Sequence, residues 1–188
     1  MNMIFNILYK CFLNVPSVFR GFFSICKFSL FKDVSIQWGM RVGKSVDLRL
    51  YPGAICHIGA NLKFDKYAQI AVIPDANLNI GSNVGIGMHN VIICRKKISI
   101  GDNTILGQDV KIYDHNHKFD FETGVSRLCY DEADVQIGCN CWIGAGAIIL
   151  KGVHIGDNTI VAAVSVVTKD IPSKSIVAGV PARIIKQH

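Results

Sequence analysis

Two histidines and an aspartate lie within four residues, as Asp114, His115 and His117. A histidine ring titrates near neutral pH, so it can take the proton from an attacking hydroxyl group. A carboxylate beside the ring can hold it in one orientation by accepting its Nδ1 hydrogen. The sequence leaves open which of the two rings Asp114 orients. The cluster indicates general-base chemistry, whereas a lone loop histidine is usually only a solvated side chain.

The cluster interrupts a repeat that runs from about Val42 to Ile171. Its signature is Ile-Gly-x-Asn, which occurs five times, beginning at Ile58, Ile80, Ile100, Ile137 and Ile155. An aliphatic residue also recurs every six positions. Between about 113 and 135 the repeat is absent, and the segment is long and polar. A loop of this length inside a compact domain is usually functional, although it can be a surface excursion without a role.

A period of six predicts a short strand followed by a sharp corner. The aliphatic residue points inward and stacks on its copies in adjacent coils, and Asn or Gly at the corner tolerates a left-handed φ. Three units form a triangular coil of about 18 residues, as in the Ile137–Ile155 spacing. The earlier spacings of 22 and 20 residues predict insertions at corners. We therefore predict an all-β solenoid of about six coils, since residues 34–171 lack the helical patterns of an α/β sheet.

Residues 1–33 are apolar and cationic, with no acidic residue before Asp33. Polar residues recur at steps of three and four, which predicts helix, and Pro16 predicts a break between two short helices. No 18-residue stretch lacks a charge, so a membrane-spanning helix is not expected, and no signal peptide is recognisable. Two interpretations remain open. The segment packs against the repeat or a neighbouring subunit, or residues 1–31 associate peripherally with a membrane.

The composition narrows the class of partner. The net charge of +6 suits anionic ligands or membrane surfaces, but the chain has no nucleic-acid-binding module, so no nucleic acid is expected. Seven cysteines without a disulfide framework indicate reduced thiols in a cytoplasmic protein. Cys139 and Cys141 lack the spacing of a zinc site, and neither Cys94 nor Cys129 is a strong candidate nucleophile.

The repeat resembles that of the hexapeptide-repeat acyltransferases, whose fold is a left-handed parallel β-helix. Residues 167–172 and 177–185, together with the segment 141–146, are similar to the closing part of sugar and xenobiotic O-acetyltransferases. We predict three parts: an apolar, cationic helical segment at 1–33, a hexapeptide-repeat β-helix at 34–171 carrying an active-site loop at about 113–135, and a tail at 172–188 that the resemblance places on the coenzyme A side. We also expect a short C-terminal helix at residues 183–187.

In register with the galactoside and maltose acetyltransferases, the family's catalytic histidine falls on His117, with Asp114 and His115 in support. The resemblance makes the Ala145 N–H an oxyanion donor. It further implies coenzyme A contacts from six residues, namely Trp142, Ala145, Ala163, Thr168, Lys169 and Arg183. Ordinary packing for Trp142 and solvated charges for Lys169 and Arg183 are the alternatives.

His89 and Asn90 precede the loop by one turn of the repeat and are candidates for binding the acceptor. The sugar acetyltransferases place an acceptor-binding asparagine at the position of Gly87, so here this sequence departs from them. Its apolar N-terminus departs as well, since those enzymes begin with a polar helical module. An acceptor close to a membrane, such as a glycan built on a lipid carrier, would explain both departures.

The resulting prediction is an acetyl-CoA-dependent O-acetyltransferase acting on a sugar hydroxyl in capsule, exopolysaccharide or O-antigen synthesis. The resemblance implies a homotrimer with sites between subunits, in the cytoplasm or at the inner face of the membrane, with no metal. The alternatives are a xenobiotic or serine-type acetyltransferase, and a carbonic-anhydrase-like metal protein using His89, His115 and His117.

Overall fold

The structure is a computed structural model that describes residues 16–28 and 31–188. From residue 34 the chain winds into six coils, each of which adds one strand to each of three parallel sheets. The first sheet comprises β1 (Val34–Ile36), β4 (Ile55–Ile58), β7 (Asn77–Ile80), β10 (Lys97–Ile100), β15 (Val135–Ile137) and β18 (His154–Ile155). The second comprises β2 (Arg41–Val42), β5 (Lys63–Phe64), β8 (Gly85–Ile86), β11 (Ile105–Leu106), β16 (Trp142–Ile143), β19 (Ile160–Val161), β21 (Ser175–Gly179) and β22 (Ala182–Gln187). The third comprises β3 (Asp47–Leu50), β6 (Gln69–Val72), β9 (Val91–Cys94), β12 (Lys111–Tyr113), β17 (Ile148–Ile149) and β20 (Val166–Val167).

The predicted solenoid is confirmed, and its coils stack in the register that the repeat requires. Ile80, Ile100, Ile137 and Ile155 align directly across the first sheet, and each is at most 3% exposed. Burying one such side chain stabilises the fold by about 1.5–3 kcal/mol. The period of six therefore forms the core of the left-handed parallel β-helix expected for this repeat.

The corner between the first and second sheets depends on asparagine. Five asparagines there adopt φ of 54–57°, namely Asn61, Asn83, Asn103, Asn140 and Asn158. Asn61 Nδ2 donates to Asn83 Oδ1 at 3.1 Å, and Asn83 Nδ2 donates to Asn103 Oδ1 at 3.0 Å. Asparagine tolerates this left-handed conformation better than most residues, so it recurs where the repeat predicted it.

The extra residues of the earlier coils do more than enlarge corners. Beside the corner between the third and first sheets, β6, β7, β9 and β10 have four residues each. In the last two coils, β17 and β18 have only two residues each. Part of the insertion therefore lengthens the strands, because additional ladder pairs satisfy the added backbone groups.

The prediction of a C-terminal helix at residues 183–187 is wrong. These residues lie in β22, which pairs antiparallel with β21, as Ala178 opposite Arg183 shows. β21 adds to the second sheet beyond β19, so its free edge offers unpaired backbone groups to the returning chain. The β-branched pair Ile184-Ile185 also favours strand over helix.

Residues 16–28 form a helix, α1, that closes the N-terminal end of the β-helix. Ile25 and Phe28 are buried against the first coils. A Cβ atom at Gly21 would meet the backbone carbonyl of Met40, so only glycine permits this close approach. The predicted helix before Pro16 lies outside the described residues. Within the described ranges, no helix is long and apolar enough to span a bilayer.

Candidate active site

The segment predicted as an active-site loop folds as an antiparallel hairpin of β13 (His115–Asp120) and β14 (Gly124–Glu132). It leaves the coil after β12, at the corner between the third and first sheets, and the chain rejoins the first sheet at β15. Lys151 Nζ lies 2.8 Å from Asp131 Oδ2, and this ammonium lowers the pKa of the Asp131 carboxyl. The hairpin is therefore tied to the coil that follows it.

Asp114 anchors the root of the hairpin. Its side chain is fully buried, and it accepts hydrogen bonds from the backbone N–H groups of Arg95, at 2.9 Å, and Lys96, at 2.7 Å. Its Oδ1 lies 3.1 Å from Nδ1 of His115. The question left open by the sequence is thus answered by geometry, because Asp114 orients His115 and not His117.

His117 projects from the hairpin with its imidazole exposed. Its Nδ1 lies 3.0 Å from the backbone carbonyl oxygen of Ser126. A carbonyl oxygen can only accept, so Nδ1 carries the hydrogen and Nε2 of the neutral ring keeps a lone pair. That atom is the one that can take a proton from a substrate hydroxyl group.

Tyr130 supports both imidazoles, and sequence reasoning did not single it out. Its ring centroid lies 4.6 Å from that of His117 and 5.6 Å from that of His115. The guanidinium of Arg95 covers the tyrosine ring at 3.5 Å, and Arg95 Nε lies 3.2 Å from Glu132 Oε1. Tyr130 faces His117 across the hairpin, so only the strand register could have identified it.

Three of the residues expected to contact coenzyme A lie together. Trp142 is 57% exposed on the outer face of the second sheet, and Ala145 and Ala163 follow at the next corner of successive coils. A Cβ atom at Gly144 would lie 2.5 Å from Ala163 N, so the backbones approach closely here. Within residues 16–28 and 31–188, the N–H groups of Ala145 and Ala163 have no hydrogen-bond acceptor. Both can therefore donate to a ligand.

The other three expected contacts are more dispersed. Thr168 and Lys169 are exposed at the corner between the third and first sheets, two coils beyond the hairpin root. Arg183 begins the exposed part of β22, and its Nη1 donates to the carbonyl oxygen of Ala182 at 2.9 Å. All three lie at the C-terminal end of the solenoid, as do Ala145 and Ala163.

The acceptor prediction is wrong for Asn90. Its side chain is fully buried, and Oδ1 accepts the backbone N–H of Val110 at 2.7 Å. Asn90 therefore supports the corner and cannot reach a substrate. A Cβ atom at Gly87 would lie 2.4 Å from the carbonyl oxygen of Gly107, so the position where the sugar acetyltransferases have asparagine has no room for a side chain in this chain.

His89 is half exposed, with φ of 58°, and its ring stacks on Tyr67 at 5.2 Å. It lies at the corner between the second and third sheets, whereas the hairpin leaves from the corner between the third and first sheets. A single chain therefore does not bring His89 and His117 to one corner. Within one chain, His89 lies instead at the same corner of the solenoid as Ala145 and Ala163, in an earlier coil.

The metal and cysteine alternatives gain no support from the geometry. No group of three or more His, Cys, Asp or Glu residues able to hold a metal ion occurs in the part of the chain that the structure describes. Burial, and next the charge of Asp114, raises the pKa of the Cys94 thiol, and burial also raises the pKa of Cys141. Neither thiol is therefore a nucleophilic thiolate at neutral pH.

Comparisons with known proteins agree with this architecture. Residues 134–169 match the family described as bacterial transferase hexapeptide (six repeats). Over 112 residues the chain is 36% identical to the galactoside O-acetyltransferase of Escherichia coli, which covers 60% of this chain and 55% of that enzyme. Over 184 residues it is 28% identical to WbbJ of Escherichia coli, a putative lipopolysaccharide biosynthesis O-acetyl transferase. That match covers 90% of this chain and 83% of WbbJ. AntD, an N-acyltransferase from Bacillus cereus solved with dTDP and 3-hydroxybutyryl-CoA, shares the fold, with a TM-score of 0.73 at 21% identity over 85% of each chain.

The matches to three relatives of 36% to 40% identity cover only 55% to 62% of those proteins, so the chain spans little more than half of their length. A parallel β-helix whose coils consist of three hexapeptides defines the class of hexapeptide-repeat proteins. This chain folds as such a β-helix, its residues 134–169 match the hexapeptide model, and several of its sequence relatives are named acetyltransferases.

Proposed function

We propose that the chain is an acetyl-CoA-dependent O-acetyltransferase that modifies a sugar hydroxyl group. The observation that carries the proposal is the Nδ1 contact of His117 with the Ser126 carbonyl, since it leaves Nε2 as a base on an exposed hairpin. The similarity to named sugar O-acetyltransferases supplies the reaction class. The 3-hydroxybutyryl-CoA bound to AntD, which has the same fold, supports a thioester as the donor.

In this mechanism the acetyl group passes directly from coenzyme A to the acceptor. His117 Nε2 removes the proton while the hydroxyl oxygen attacks the thioester carbonyl carbon. The Ala145 N–H donates to the oxyanion of the tetrahedral intermediate. Collapse breaks the carbon–sulfur bond, and the imidazolium returns its proton to the departing thiolate, so no acyl-enzyme forms. Trp142 and Ala163 would line the path of the pantetheine arm, and Thr168, Lys169 and Arg183 would meet the nucleotide end.

The same proposal includes a homotrimer with sites between subunits. The hairpin carries His117 away from its own coils, whereas Ala145 and Ala163 lie at a different corner of the solenoid. The hairpin also exposes apolar side chains, with Phe121 98% and Leu128 89% exposed. A patch of this kind marks an interaction surface. A neighbouring subunit would cover it and would bring its own Ala145 and His89 to the first subunit's His117.

Similarity to WbbJ over most of the chain favours an acceptor in surface polysaccharide synthesis, and hence a cytoplasmic enzyme working at the inner face of the membrane. A glycan built on a lipid carrier fits the apolar N-terminal segment. Xenobiotic and serine acceptors are the alternatives that the same assay distinguishes.

The test is acetyl-CoA turnover with nucleotide sugars, lipid-linked glycans, a xenobiotic and serine as acceptors. We expect a sugar acceptor to support turnover, and His117→Ala to lower kcat/KM by about 10²–10⁴-fold while circular dichroism is unchanged. His154→Ala, which removes an exposed histidine on the first sheet, is the control and should retain activity. A folded His117→Ala variant with most of its activity would refute the base assignment. A burst of coenzyme A release without acceptor would refute direct transfer.

A further inference from the structure

The outer side of helix α1 exposes an apolar surface at the N-terminal end of the solenoid. At 100° per residue, Gly21, Ile25 and Phe28 share the inner side, and Phe19 and Phe23 lie on the opposite side. Phe19 is 60% exposed and Phe23 is 68% exposed. A helix whose only role was to cap the coils would carry polar residues on the side that faces solvent.

One flank of the helix continues the apolar surface onto the first coil. Phe22 is 45% exposed and stacks on Trp38 with centroids 6.3 Å apart, and the indole itself is 72% exposed. Val18 lies on the same flank and is half exposed. The exposed rings of Phe19, Phe22, Phe23 and Trp38 therefore form one continuous aromatic surface, here called the aromatic face.

The other flank is cationic. Arg20 lies there, and its Nε donates to the carbonyl oxygen of Val42 at 2.8 Å. This hydrogen bond holds the guanidinium at the corner between the second and third sheets in the first coil. A cavity of about 160 Å³ opens at this place, and its lining includes the cations Arg20, Arg41, Lys44, Lys63 and Lys66 with a single acidic residue, Asp65. We call it the basic cavity. Of its five cations, Lys63 alone is in an ion pair with a carboxylate of the described residues, at 3.2 Å from Asp65.

The basic cavity has the size of a phosphate group rather than of a nucleotide, since sites for drug-sized ligands occupy about 300–1,000 Å³. Four of the cations have no carboxylate partner among the described residues, and they lie beside the exposed aromatic face. The cations match the anionic headgroups of a bilayer, and the aromatic face matches the acyl chains beneath them. A second copy of this chain that docked by the same face would bring the same five cations against these.

We propose that the aromatic face and the basic cavity together form a docking surface for an anionic lipid bilayer. Phe19, Phe23 and Trp38 enter the boundary between headgroups and acyl chains, and the basic cavity receives a lipid phosphate. This binding is independent of the acetyl-transfer proposal, because it requires neither coenzyme A nor His117.

The experiment is co-sedimentation of the full-length protein with vesicles of pure phosphatidylcholine and with vesicles containing phosphatidylglycerol. We expect binding to the anionic vesicles, weakened by salt, and at least a tenfold loss of affinity on Lys44→Gln/Lys66→Gln. The matched control Lys97→Gln/Lys174→Gln removes two exposed lysines elsewhere and should bind within about twofold of the unmodified protein, allowing for the change in net charge. Inorganic phosphate at equal ionic strength should compete only weakly, because it enters the basic cavity without contacting the aromatic face. Complete release of the protein from the vesicles by phosphate would overturn the lipid assignment.

A second pair of variants tests the aromatic face. Phe19→Ser/Phe23→Ser should abolish binding, whereas Ile185→Ser, which removes a similarly exposed apolar side chain (67%) on β22 at the other end of the solenoid, should not. Circular dichroism and sedimentation velocity of each variant report folding and assembly. Equal binding to neutral vesicles, absence of binding, or a change of oligomeric state on Phe19→Ser/Phe23→Ser would each overturn the proposal, the last because a second copy would then be the occupant.

Discussion

Asp114 is the buried charge on which the geometry of the hairpin root depends. Its carboxylate accepts two backbone N–H groups, from Arg95 and Lys96, and contacts the His115 ring. A buried carboxylate is stable only when such donors replace its water. This arrangement fixes where β13 begins, and therefore where His117 is presented.

Replacing Asp114 by asparagine should expose that dependence. The amide of the new side chain would turn an NH₂ group toward backbone donors, and one buried N–H would lose its acceptor. We expect Asp114→Asn to lower the free energy of unfolding by about 2 kcal/mol, measured by urea denaturation. The control is Asp109→Asn, because this carboxylate is 56% exposed and its loss should cost little. Equal stability losses in the two variants would contradict the anchoring role.

At the residue scale, the sequence identifies a candidate site by its residue types, but it does not give the direction in which each side chain points. The cluster at Asp114 was visible because its residue types are chemically distinctive. The pairing of Asp114 with His115, and the burial of Asn90, depend on which way each side chain points at a corner. Tyr130 could be assigned only once the hairpin register placed it opposite His117.

At the scale of the elements, the corners show where the repeat is under strain. Most residues with positive φ in the described ranges are Asn, Asp or Gly, yet Val164 adopts φ of 59°. A β-branched residue is disfavoured in this conformation, at a cost of about 1–3 kcal/mol. Val164 follows Ala163 at the corner expected to line the coenzyme A path, which is where strained residues tend to occur.

Relieving this strain should stabilise the protein. We expect Val164→Asn to raise the urea midpoint, corresponding to about 1 kcal/mol, because asparagine accepts the left-handed region that Val164 occupies. Val180→Asn is the matched control, since Val180 is similarly exposed, at 69%, and has no positive φ. A lower midpoint for Val164→Asn than for the control would show that the valine side chain contributes packing that outweighs its strain.

Elements with strict periodicity were predictable, and elements that depend on an open edge were not. The stacked isoleucines specify the coils directly. The tail at residues 182–187 became β22 because β21 left a free edge beside it, which a local pattern cannot reveal. The hairpin similarly escaped prediction, since its polar sequence indicates a loop until its cross-strand partners are known.

At the scale of the whole molecule, the two ends of the solenoid have different surfaces. The N-terminal end carries the aromatic face and the basic cavity, and the later coils carry the hairpin and the Ala145 and Ala163 edge. The hairpin leaves from the fourth coil, roughly 14 Å along the axis from the first, at about 4.8 Å per coil. Docking of the N-terminal end on a bilayer would therefore keep His117 near the membrane but outside the headgroups.

Assembly decides whether one chain can hold a complete site, and mixed assemblies of two variants test both this and the proposed trimer. His117→Ala removes the proposed base, and Ala163→Trp fills the proposed coenzyme A path, so each variant alone should be inactive. If each site combines the hairpin of one subunit with the groove of its neighbour, mixing the two variants after reversible dissociation creates some intact pairs. Random mixing in equal amounts should restore roughly a quarter of the unmodified activity, because one in four hairpin–groove pairs carries both intact residues. Mixtures of either variant with the double variant His117→Ala/Ala163→Trp contain no intact pair and should stay inactive. A mixture that recovers no activity, while native mass spectrometry shows that subunits have exchanged, would place the whole site within one chain.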